Sequence, residues 1–107
     1  MANIDRIIHM EKALDNVSAA VNNLSEAINA YAEVQAQYQQ LTDYYFGPDW
    51  LKDLDDDREG LLPHDLKRGV LSEDAVYDLV SDNDALIEQL RELLQNLDNQ
   101  KTAPDKI

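Results

Sequence analysis

The chain has 107 residues, with 22 acidic and 9 basic side chains, a formal net charge of -13 and no cysteine. Such a length makes one small domain, and such a charge argues against a phosphate-binding surface or attraction to anionic membranes. The missing thiols exclude a disulfide framework, a thiol nucleophile and a zinc–thiolate site.

The first element expected is a helix from about residue 3 to about residue 45, a stretch without Gly or Pro. Ile7, Leu14, Val21 and Ile28 recur every seven residues, and Met10, Val17, Leu24, Tyr31, Tyr38 and Tyr45 recur three places later. These are the a and d positions of a heptad, whose stripe must lie against another helix. The g positions Ala13, Ala20, Ala27, Val34 and Leu41 are small or apolar and widen the stripe, as in a helix bundle. At 1.5 Å per residue such a helix spans on the order of 60 Å.

A central segment, residues 46–71, breaks the period. Gly47-Pro48 ends the first helix and opens a short one over about Asp49–Asp57, which Gly60 ends. Pro63 is expected to open one more helical turn through Leu66, closed by Gly69. Ser72 is the expected N-cap of a last helix over about residues 73–99, with Glu73 and Asp74 suited to its positive end. Leu71 and Val76 stand where a hydrophobic staple requires them. Val76, Leu79, Leu86, Leu90, Leu93 and Leu97 hold a second heptad register, with Asn83 at an a position. Ser81-Asp82 is a possible break in that helix, and residues 100–107 are expected to be a frayed tail.

The fold class is therefore all-α: a long antiparallel helical hairpin with the central segment folded onto it. The two helices are unequal, roughly 40 and 27 residues long. A two-helix core is thin, so a homodimer joining two hairpins in a four-helix bundle is expected. The N-terminal stretch has no apolar run of signal-peptide length, and no stretch approaches the roughly 18 apolar residues of a membrane span. A cytoplasmic protein follows as the expectation.

Tyr44-Tyr45, Trp50, Gly60-x-Leu62-Pro63-x-Asp65-Leu66, the block Gly69-Val70-Leu71-Ser72-Glu73-Asp74 and Val76-Tyr77-Asp78-Leu79 together resemble a family of small bacterial proteins catalogued as a domain of unknown function. The resemblance implies a helical fold and bacterial origin. It implies no activity, cofactor or catalytic residue.

Candidate chemistry is sparse. Asp53, Asp55, Asp57 and Glu59 fall at the first, third, fifth and seventh places of a calcium loop, but Arg58 stands where that loop needs Gly and His64 where it needs a bidentate Glu. A solvated helix end accounts for the same run. His64-Asp65 is a candidate acid–base pair without an evident nucleophile, and His9 lies on the outer helix face. No cofactor and no enzyme activity are expected.

Tyr31, Tyr38, Tyr44, Tyr45 and Trp50 form either a recognition surface or the packing of the central segment. Lys67-Arg68 is the one adjacent basic pair, placed to clamp an anion or to neutralise local acids. Charge is uneven: five acidic and two basic residues up to Thr42, seventeen and seven from Asp43 onward.

The leading functional expectation is a non-catalytic protein-interaction module. One alternative is an acidic imitator of nucleic acid that holds a basic protein by salt-sensitive contacts. Another is a cation-binding module at the Asp-rich run. No direct contact with nucleic acid or membrane is expected.

Overall fold

The computed structural model describes residues 2–100, so the expected C-terminal tail lies largely outside the described residues. The chain is all-α. In order come α1 (Ile4–Glu33), α2 (Gln35–Tyr45), α3 (Pro48–Arg58), a 3₁₀ turn (Gly69–Leu71) and α4 (Ala75–Asn99). They divide into two units, one up to Gln40 and one from Leu41 on.

In the first unit, α1 opens on Asn3, whose side chain accepts a hydrogen bond from the Arg6 amide at 2.9 Å. That satisfies one of the amides a helix start leaves orphaned, and Asp5 places negative charge in the same turn. The expected single helix is interrupted once, at Val34. There the Val34 amide donates to the Tyr31 carbonyl at 3.3 Å, and the Gln35 side-chain amide donates to the same oxygen at 3.0 Å. A local turn and a side chain thus take over a carbonyl that a regular helix would leave to the backbone amide four residues on. The ladder then resumes, with the Tyr38 amide on the Val34 carbonyl at 2.9 Å.

In the second unit, α2 ends where Phe46 and Gly47 donate back to Thr42 and Tyr44. Gly47 is extended, and a Cβ built on it would stand 2.7 Å from the Asp43 carbonyl oxygen. Only the bare backbone fits there. Pro48 follows at the first helical position, with its ring-fixed φ and no amide to satisfy. α3 closes on Gly60 at φ 75°, with Leu61 donating to Asp56 and Gly60 donating to Asp57, each at 3.0 Å. These two bonds make a Schellman cap, which needs the left-handed residue that glycine supplies without strain.

Two local expectations are corrected. Residues 63–66 make a single turn, with the Leu66 amide on the Pro63 carbonyl, and not a helix. Gly69, expected to close that turn, instead opens a separate 3₁₀ turn. Ser72 Oγ accepts from the Ala75 amide at 3.2 Å, but Asp74, and not Ser72, is the N-cap residue of α4. Residues 73–74 remain a turn and α4 begins at Ala75. It then runs unbroken through Ser81-Asp82 to Asn99.

Trp50 and Leu54, one turn apart on α3, form the core of this unit with Leu71 from the 3₁₀ turn. Tyr44, Tyr45 and Leu62 pack around them, and Val76 is buried at the start of α4. Among the described residues, no helix is long and apolar enough to cross a membrane.

Candidate functional site

Two features qualify as candidates, and they are built differently. The first is the stripe of α1. Its seven apolar a and d side chains from Ile7 to Ile28 are each 50–61% exposed, and none of the described residues of α1 is buried. Tyr31 continues the stripe at the surface and Tyr38 is half-buried. α4 carries a comparable row, with Leu79, Leu86, Leu90, Leu93 and Leu97 exposed.

The second is a knot of aromatic and charged groups in the unit that begins at Leu41. The Trp50 ring is buried and its Nε1 donates to the Val70 carbonyl at 2.9 Å. Tyr45 lies edge-on to Trp50, with ring centres 4.9 Å apart, and edge-on to Phe46 at 5.0 Å. Its hydroxyl reaches the Glu73 carbonyl at 3.2 Å. Tyr44 donates to Asp53 Oδ2 at 2.6 Å. Burial first, then the Asp53 carboxylate beside it, push the Tyr44 phenol up to about 12.

Arg68 is the other tie. Its guanidinium pairs with Asp57 and donates to the carbonyls of Pro63 and Leu66. One planar fork therefore meets a carboxylate and two loop carbonyls that no regular ladder serves. Arg58 pairs with Glu73 at 3.3 Å at the surface, where such a bridge contributes little. Beside the knot lies a pocket of about 300 Å³, lined by Tyr44, Asp53, Leu62, Leu66, Lys67, Arg68, Val70 and Leu71.

The acidic run reads differently once folded. Asp53, Asp55 and Asp57 stand on α3, where steps of two residues turn the side chain by about 200°. Asp55 is exposed, Asp53 takes the Tyr44 proton donor and Asp57 holds Arg68. Glu59 follows as the C-cap residue and is exposed. Among the described residues, no group of three acidic or histidine side chains is placed to share a metal ion. His64 lies exposed on the turn after Pro63, outside the residues lining the pocket.

Of the seven residues expected to mediate interaction, the knot brings together Tyr44, Tyr45, Trp50 and Arg68, with Lys67 at its pocket. Trp50 is committed to the interior, with its one polar atom already bonded. Tyr31 and Tyr38 belong to the first unit, Tyr31 at the end of the α1 stripe and Tyr38 on α2. Sequence reasoning passed over Phe46, the most exposed aromatic at 70%. Its place between two tyrosines and the Gly47-Pro48 break was the available signal. The Asp53 and Asp57 partnerships were also missed, since a run of carboxylates does not say which tyrosine or arginine folds back onto it.

A family model described as a domain of unknown function, DUF4298, matches residues 7–101, and the chain belongs to that family. No curated protein and no solved structure matches it.

Proposed function

We propose that this DUF4298 chain is a non-catalytic protein-interaction module that works by pairing its apolar helix stripes. The observation that carries the reading is the α1 stripe, seven large apolar side chains in strict heptad order and all more than half exposed or nearly so. In proteins most of a helix's stability comes from packing its apolar face, and α1, with none of its described residues buried, gains that only when the face is covered. A contiguous apolar surface of this kind marks an interaction site.

The first partner is a second copy, in a coiled-coil-like homodimer, and the α4 stripe supplies further helices for a four-helix bundle. A different protein engages the surface that remains, including Phe46 and the pocket beside Lys67. The knot around Trp50 serves as the scaffold that holds this second surface. We place the module in the bacterial cytoplasm, a reducing setting consistent with its cysteine-free composition.

A second reading has its own support. Asp78, Asp82, Asp84, Glu88 and Glu92 are exposed along α4, which suits an acidic imitator of nucleic acid.

The test is affinity capture of the tagged protein from a bacterial lysate at low and high salt, beside its mass by light scattering. A dimer with a stoichiometric partner that survives salt supports the leading reading. A monomer whose captured partner is a DNA-binding protein released by salt replaces it with the acidic imitator.

A further inference from the structure

We infer that the α1 helices of two copies pair parallel and in register, a deduction that rests on the homodimer proposed above and adds its geometry. The residues that flank the stripe set the orientation. Between Ile4 and Glu33, the e and g positions are Ala, Ser or Ile with two exceptions, Arg6 at g and Glu11 at e. Among the described residues, neither has an ion pair within its own chain.

In a parallel two-stranded coil, a g residue faces the e residue five places on in the partner helix. Arg6 and Glu11 are five apart and opposite in sign. Two copies in register therefore make the pair twice, once on each side of the seam. In an antiparallel coil, g faces g and e faces e. Centred on the stripe, that arrangement sets Arg6 near Val34 and Glu11 near Ser25, and neither charge is met.

The seam agrees with the flanks. Ile7, Val21 and Ile28 are β-branched residues at three of the four a positions, with Leu14 at the other, and among parallel coils such residues at a favour two strands over three or four. Four heptads fit within α1 before the interruption at Val34. The interruption falls just ahead of Gln35, the first polar a position, so the apolar seam and the regular helix end together.

The chain has no cysteine, so one substitution gives one thiol per copy. In a parallel pair, Met10→Cys sets two thiols face to face across a d layer, within reach of a disulfide. In an antiparallel pair the same thiols stand roughly 27 Å apart, and Met10→Cys links instead to Ile28→Cys in a mixture. We expect Met10→Cys alone to oxidise to a covalent dimer.

Charge reversal gives an independent check that needs no thiol. Glu11→Arg should raise the dimer Kd by roughly three- to thirtyfold, and Arg6→Glu with Glu11→Arg should restore it. A wild-type dimer in which Met10→Cys stays reduced and the charge variants bind alike overturns the orientation but leaves self-association standing. A wild-type monomer at every concentration overturns both.

Discussion

α1 and the Trp50 knot are both helical and both rich in apolar side chains, yet they are stabilised in opposite ways. α1 has regular backbone bonds, a cap at Asn3 and an ideal period, but its stripe faces solvent. The knot has a short helix, an irregular loop and a 3₁₀ turn, yet it buries Trp50, Leu54 and Leu71 and bonds the polar groups around them. Periodicity therefore says where a chain can bury surface. Closure by loops decides where it does so within one copy. The contrast assigns stability to the knot and availability to the helix.

The largest expected effect is Trp50→Ala. Losing a buried indole and its bond to Val70 should cost about 3–5 kcal/mol. Amide exchange should quicken across α3 and the 3₁₀ turn while α1 keeps its own rates. Equal loss of protection in α1 would show that the two regions melt as one and would break the comparison.

Gly47→Ala comes next. A methyl group 2.7 Å from a backbone oxygen has no flexible neighbour to displace, so about 1–3 kcal/mol should be lost in denaturant titration. An unchanged midpoint would mean that the α2–α3 junction opens freely.

Tyr44→Phe should cost about 1 kcal/mol near neutral pH, for one part-buried hydrogen bond. It also has a pH signature. The folded phenol sits at about 12 against an ordinary 10.0, so the fold favours the protonated form. That contribution is complete below pH 10, fades between 10 and about 12, and is gone above. Absorbance titration should show one late-ionising tyrosine that the Phe variant lacks.

Val21→Ala should be the smallest effect. In dilute solution, at concentrations where only single copies exist, it should change stability by less than about 0.5 kcal/mol, because the side chain is 60% exposed. A larger loss under those conditions would mean that the stripe is already covered within one copy.

Much of the architecture was legible because a few residues have strong local physics. Gly47-Pro48 and Gly60 mark the ends of α3, and the heptads mark α1 and α4. The interruption at Val34 was not legible, since valine fits the g position and the event depends on where the Gln35 side chain turns. Gly69 was read as a stop because glycine often ends helices, whereas here the Arg68 carbonyl and the Leu71 amide make it the first residue of a tight turn. The calcium-loop reading of Asp53, Asp55 and Asp57 required a loop, and α3 continues through all three. The aromatic cluster was legible as a set. Its choice between core and surface was not, because that depends on Leu71 arriving from a segment 21 residues after Trp50.

The threefold hold of Arg68 has a practical corollary. Lys67 and Arg68 are the natural cutting points for a protease that recognises basic residues, and such an enzyme needs several residues of extended chain in its cleft. Arg68 cannot enter one while its guanidinium spans Asp57, Pro63 and Leu66. Nicking at this pair therefore serves as a clock for the lifting of the loop from the core, and replacing arginine by lysine, which lacks the fork, should make that clock run faster.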